Sequence, residues 1–260
     1  MCIRDRNYLN QRLRYISNTI KLKRFTAPPI IIGGCARSGT TLLQAIISAH
    51  PRIFVFPIET HRLCPTAYLE NPDYTLKPRY EDLMEQLKTY PVRFSARRWC
   101  EKTPKNIRFI DHYLKDIEDV KIIHIIRDGR DVITSKHPDD PEEYWVPIQR
   151  WIDDVQAGLL FKDHPQVFTI KYEDLIFDFE KQLEKLGLFL KEDFSKIGKD
   201  WTEKASLQRS TAWFSDRVTQ LNAKSIYKWK KEEYKPILDS FMANEKALSL
   251  LNDLGYNEVI

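Results

Sequence analysis

Apolar residues fall into short unbroken runs along this chain, and amphipathic stretches separate the runs. Residues 30–32 are three consecutive isoleucines stopped by Gly33-Gly34. A β-branched run of that length, bounded by glycine, reads as a fully buried strand. Residues 53–56, 121–126 and 167–171 read the same way, and 99–101 as a shorter strand between two helices. Residues 40–49 carry Leu42, Leu43, Ala45, Ile46 and Ile47, dense enough for a mostly buried helix. His50-Pro51 ends it, because the residue before a proline is pushed out of helical space. The spacing predicts further helices over 79–90, 104–117, 128–135, 145–162, 172–188 and 238–254. Apolar strands alternating with helices predict an α/β fold: one central parallel sheet with helices on both faces. No repeat or long linker divides the chain. The expected organisation is a polar, basic lead-in at 1–27 and one domain at 28–260, with a proline-rich surface loop at 138–147.

Composition narrows the classes. At 260 residues, with 42% hydrophobic and 30% charged positions, the chain can bury a full core without disulfides or metals. Its net charge of +4 is too mild to indicate nucleic-acid binding, although it suits an anionic ligand. Four cysteines (Cys2, Cys35, Cys64, Cys100) lack CxxC or Cys/His spacing, so no metal site is expected and buried thiols in a reducing compartment are. No run approaches the roughly 18 apolar residues of a membrane helix. A cytoplasmic location is therefore expected if the source is bacterial. Met1–Arg6 (MCIRDR) resembles an adapter-derived leader of metagenomic gene calls, which leaves an upstream signal or anchor open.

Gly34-Cys35-Ala36-Arg37-Ser38-Gly39-Thr40-Thr41 lies between a predicted strand and a predicted helix. That placement aims backbone N–H groups and a positive helix end at one spot, an anion site. The spacing fits the phosphate loop G-x4-G-K-[ST], with Thr40 in place of the lysine that neutralises nucleoside triphosphates. The substitution argues against an ATPase or kinase. Arg37 offers a cation elsewhere in the loop. A second cluster, Arg127-Asp128-Gly129-Arg130-Asp131 and then Ser135, sits where the strand at 121–126 stops. In an open parallel sheet ligands gather beyond the carboxyl ends of strands, which puts Arg127 on the rim that holds Arg37. Arg130 and Asp131 are expected to be structural, as an ion pair at a helix start.

Together these motifs resemble the sulfotransferases that use 3′-phosphoadenosine 5′-phosphosulfate (PAPS). GCARSGTT resembles their 5′-phosphosulfate loop, and RDGRDVITS their 3′-phosphate element. The resemblance implies a fold like that of phosphate-loop nucleotide-binding proteins. It also implies that Arg37, Ser38, Gly39, Thr40 and Thr41 hold the 5′-phosphosulfate, and that Arg127 and Ser135 hold the 3′-phosphate. Tyr172, in Lys171-Tyr172-Glu173-Asp174-Leu175, matches a tyrosine near the nucleotide. The tyrosylprotein sulfotransferases and the bacterial branch beside them look most similar. Their catalytic glutamate before a threonine resembles Glu59-Thr60, and their Cys-x-Lys-x-Pro run resembles Cys100-Glu101-Lys102-Thr103-Pro104. Their Arg-Ser-Thr and Lys-Trp elements resemble Arg209-Ser210-Thr211 and Lys228-Trp229. In place of that family's arginine soon after the glutamate stand His61 and then Arg62.

The implied reaction is in-line sulfuryl transfer from PAPS to an acceptor hydroxyl of a protein tyrosine, sugar or lipid headgroup, with no metal. Glu59 is the expected general base, with His61 its rival; Arg37, Lys102 and Ser210 are expected to stabilise the leaving phosphate, and Ser210 and Lys228 to touch the nucleotide. The alternatives are a kinase-like phosphotransferase of related fold and a non-catalytic nucleotide-binding module. Among the remaining residues, His124 is expected to be a hydrogen-bonded core histidine. Arg93, Arg97 and Arg98 read as a solvated face, and Tyr144, Trp145, Trp151 and Phe161 as core or an acceptor cleft.

Overall fold

The structure, a computed structural model, describes residues 22–65, 73–137, 140, 142–195, 197–198, 201–205, 221 and 223–256. Five strands make one sheet: β1 (Ile30–Gly33), β2 (Ile53–Val55), β3 (Arg98–Lys102), β4 (Lys121–Ile126) and β5 (Val167–Lys171). Their spatial order is β2-β3-β1-β4-β5, and every neighbouring pair is parallel. The alternation of side chains along β1 assigns its isoleucines to opposite layers. Ile30 and Ile32 pack with α1 (Thr40–Ser48), and Ile31 packs with Leu83 and Leu87 of α2 (Tyr80–Thr89). All three are fully buried, as expected for the central strand of a sheet covered on both faces.

The predicted helix at 104–117 begins instead as a 3-10 segment, Pro104–Phe109, and becomes α-helical as α3 (Ile110–Asp116). Close packing explains the tighter winding: a Cβ on Gly33 would lie 2.6 Å from the Ile107 nitrogen. Two other predicted helices are each divided. The 172–188 segment breaks at Asp178 into α6 (Tyr172–Phe177) and α7 (Phe179–Leu190). The C-terminal segment breaks into α9 (Lys235–Met242) and α10 (Glu245–Asp253), where the Asn244 side chain accepts from the Ala247 N–H and caps the second helix. Between α3 and α6 in the chain are α4 (Gly129–Ile133) and α5 (Ile148–Leu159), and between α7 and α9 is α8 (Trp201–Lys204).

Two expectations about charged and polar residues are corrected. Arg98 does not belong to a solvated face; it is buried and its Nε lies 3.3 Å from Glu192. His124 is fully buried, but neither ring nitrogen has a hydrogen-bond partner. Burial pushes its imidazole down to about 3, so the ring is neutral and packs as an apolar group against Gly158. Trp151 belongs to the core that α9 and α10 complete, whereas Trp145 and Tyr144 are half-buried. Among the described residues no helix is long and apolar enough to cross a membrane.

Candidate active site

The carboxyl ends of β1, β3, β4 and β5 and the segment after β2 bring the chemistry to one rim. After β1, Gly34 takes φ +154, with Ile125 O so near that a Cβ there would lie 2.4 Å away. Arg37 and Gly39 are left-handed, at φ 68 and 90, which curls the loop into the start of α1. No side chain caps α1 and no acidic residue occupies its first turn, so its leading N–H groups face the loop. Ser38 Oγ is fully buried there without a hydrogen-bond partner. A buried hydroxyl left in that state costs free energy, and an anion oxygen in the loop would satisfy it.

A second anion-favouring group lies beside the loop. Arg127, at the end of β4, donates 2.9 Å to the Arg37 carbonyl and also to the Ser225 carbonyl. Its guanidinium stands 4.5 Å over the Tyr172 ring, whose hydroxyl is 2.6 Å from Ser225 Oγ. Lys228 reaches in from the C-terminal part of the chain, its Nζ donating 2.7 Å to Ser135 Oγ. Arg37, Arg127 and Lys228 therefore share one partly buried neighbourhood. Burial, then the Arg127 charge, pushes Lys228 down to about 7; the same two causes push Arg37 below its usual range. Crowded cations of this kind fit an anionic ligand.

Two carboxylates hold this group together. Asp131 accepts from the Tyr227 and Trp229 N–H groups at 2.9 and 3.2 Å, fixing the turn that carries Lys228. Glu173 accepts from the Asp128 N–H and from the Tyr256 hydroxyl, tying the element after β5 to the start of α4. The expected Arg130–Asp131 pair does not form. Arg130 instead pairs with Asp128 at 2.8 Å and lies over the Trp229 ring, because Asp131 is taken by backbone donors 96 and 98 residues away.

On the opposite side of the loop, Lys102 at the end of β3 donates 2.5 Å to Glu59 Oε1 and 3.2 Å to Thr41 Oγ1. The Lys102 side chain is 2% exposed and that of Glu59 30%, so the carboxylate is the wetter partner. His61 follows at φ 53, and burial pushes its imidazole below the usual range despite the nearby Glu59 and Glu101. Of the residues singled out in the sequence, Arg37, Ser38, Gly39, Thr40, Thr41, Glu59, Lys102, Arg127, Ser135, Tyr172 and Lys228 all lie on this rim. Ser210 falls outside the described residues. Asp131, Glu173 and Ser225 were not singled out as site residues, since their contacts span 45 to 98 residues of chain. Among the described residues no cluster of three or more His, Cys, Asp or Glu could hold a metal ion.

Comparison with known proteins supplies the family. A curated relative, the protein-tyrosine sulfotransferase of Drosophila melanogaster, is 26% identical over an alignment 193 residues long that covers 63% of this chain. The match spans 38% of that relative's length. Among solved structures, the sulfotransferase domain of the curacin biosynthetic pathway superposes with a TM-score of 0.57 at 18% identity, covering 90% of this chain and 99% of that one. The sulfotransferase domain of the Synechococcus PCC 7002 olefin synthase gives 0.58 at 19% identity, covering 89% and 96%. These likenesses show the fold. The model of the sulfotransferase family matches residues 28–196, which take in all five strands, the loop after β1 and the segment from Arg127 to Ser135, and the chain belongs to that family.

Proposed function

We propose that this chain transfers a sulfuryl group from PAPS to an acceptor hydroxyl of a protein tyrosine, sugar or lipid headgroup. The observation that carries the reading is the Lys102 bridge, which joins a carboxylate to the anion loop through Glu59 Oε1 and Thr41 Oγ1. Such a bridge brings a proton acceptor and a cation together at the edge of the anion loop.

When bound, PAPS supplies the sulfuryl group and an adenosine bisphosphate leaving group. The loop from Arg37 to Thr41 suits the 5′-phosphosulfate, with Ser38 Oγ a donor ready for it. Arg127, Ser135 and Lys228 suit the 3′-phosphate, and Tyr172 lies beneath Arg127 on the same side. Glu59 takes the acceptor proton. Lys102 and Arg37 oppose the negative charge that builds on the leaving phosphate, a role the family resemblance extends to Ser210. Arg127 occupies the place after β4 where a magnesium-dependent phosphotransferase would carry a carboxylate, and its charge disfavours a divalent cation there.

The test incubates purified protein with ³⁵S-labelled PAPS and a tyrosine peptide, a hexose and a glycerol headgroup. Label transfer with release of 3′,5′-adenosine bisphosphate (PAP) is expected for at least one acceptor, and magnesium-dependent ATP turnover without it would overturn the reading.

A further inference from the structure

Glu101 lies beside Lys102 on β3, is fully buried, and has its hydrogen-bond partners at Thr60, Thr103 and Asn106. Its carboxylate accepts four hydrogen bonds. Oε1 takes the Thr60 N–H at 3.1 Å, Thr60 Oγ1 at 2.9 Å and Thr103 Oγ1 at 2.7 Å. Oε2 takes Asn106 Nδ2 at 2.6 Å, and the same amide donates to the Ile32 carbonyl on β1. A buried carboxylate is tolerated where its lone pairs are satisfied in this way.

The chain around Glu59 shows what this hub fixes. Beyond β2, Phe56 is held by its N–H to the Cys100 carbonyl and by Gln44 on its own carbonyl. The chain then leaves the sheet for Pro57, Ile58 and Glu59, with Ile58 exposed. It is caught again at Thr60 and turns sharply, with the Arg62 N–H on Thr60 Oγ1 and His61 left-handed. Both anchors are therefore on β3, at Cys100 and Glu101, directly before Lys102. Glu59 stands on a short arch pinned at each foot to the strand that carries its lysine partner.

We infer that Glu101 is a positioning residue, holding the arch so that the Glu59 carboxylate stays at Lys102 and faces the acceptor. The inference rests on Glu59 being the base. Glu101→Gln keeps the shape but brings an amide NH2 against donors that the carboxylate now accepts. The Thr60 anchor then slips while the anion loop, which follows β1, stays in place. A misplacement of about 1 Å can cost a reaction about 10²-fold.

The experiment measures kcat as PAP released from PAPS with the most active of the three acceptors, together with PAP affinity and the thermal midpoint. Glu101→Gln is expected to lower kcat by about 10- to 100-fold with PAP affinity kept. Thr60→Val, which loses only the hydroxyl, gives a smaller loss in the same direction and carries the test if Glu101→Gln fails to fold. In a Glu59→Gln background Glu101→Gln is expected to add almost nothing, because contacting residues that act as one unit are not additive. A merely structural role would lower PAP affinity and kcat together, and the two substitutions would multiply; either result overturns the inference. Wild-type turnover by Glu59→Gln would instead remove the base itself.

Discussion

Glu59 and Lys102 form an ion pair of 2.5 Å between the segment after β2 and the last residue of β3. The pairing leaves Lys102 with two duties, since its ammonium also reaches Thr41 in the anion loop. Lys102→Met is expected to lower kcat by about 10²–10³, the scale for losing one charge-stabilising donor. Glu59→Gln should cut kcat by about 10²–10⁴ with little change in PAP affinity. His61→Gln should mainly raise the acceptor KM. Steady-state kinetics with PAPS reads all three, and loss of turnover in His61→Gln with most of it retained in Glu59→Gln would move the base to the histidine.

Arg127 touches the loop, Ser225 and the Tyr172 ring at once. A hydrogen bond to a charged group contributes about 1.5–3 kcal/mol, so Arg127→Ala should weaken PAP binding roughly 10- to 150-fold. Adenosine 5′-phosphosulfate, which lacks the 3′-phosphate, should lose far less. Titration calorimetry with both ligands decides the point, and equal losses would show that Arg127 serves only to brace the loop.

Lys228 gives the site a pH dependence. Burial beside Arg127 and Arg37 holds it at about 7, so it sheds its proton as pH rises through neutrality. A bound phosphate favours the ammonium form. PAP binding above pH 7 therefore takes up a proton, and affinity falls as pH rises from about 7 toward 9. Calorimetry in two buffers of different ionisation heat measures that proton. Without ligand the sign reverses. The folded state binds fewer protons than the unfolded one between about 7 and the ordinary lysine value of 10.5, so stability rises with pH across that window. Lys228→Met should flatten both curves.

Gly39 sits at φ 90, and a Cβ added to it would lie 2.4 Å from Tyr172 Cδ2. Gly39→Ala combines a strained backbone with a displaced ring, at a cost of about 1–3 kcal/mol. The Tyr172 ring lies against Arg127, so PAP affinity should fall along with the thermal midpoint. A variant with an unchanged midpoint and unchanged affinity would show that the loop relaxes around the methyl group.

What could be read from the sequence was local. The isoleucine run ending in paired glycines announced β1 and the loop after it, because strand, turn and helix lie within 20 consecutive residues of 30–49. The arginine after β4 was legible for the same reason. Contacts across long chain separations were not. Nothing near Asp131 in sequence shows that its carboxylate is filled by the Tyr227 and Trp229 N–H groups. Arg98 looked like one charge in a basic run, since Glu192, its partner, follows it by most of a hundred residues. Glu101 stood in its motif without a role because a buried hub is defined by what surrounds it, and beside the nearby Thr103 and Asn106 its donors include Thr60, 41 residues earlier. The divided helices at Asp178 and Asn244 escaped notice because apolar spacing continues across a break of one or two residues.

The turn at residues 227–229 closes over α4 through Asp131, and Trp229 joins the same core as Phe241 and Leu251. The anion loop, by contrast, lies near the beginning of the described chain. During synthesis the sheet strands emerge first, in order, and Lys228 follows them. On the proposed function, a nascent chain whose sheet has formed still lacks the lysine that is to grip the donor's second phosphate. Donor binding would then report that the turn at 227–229 has docked, and the nucleotide would stabilise chains in which it has.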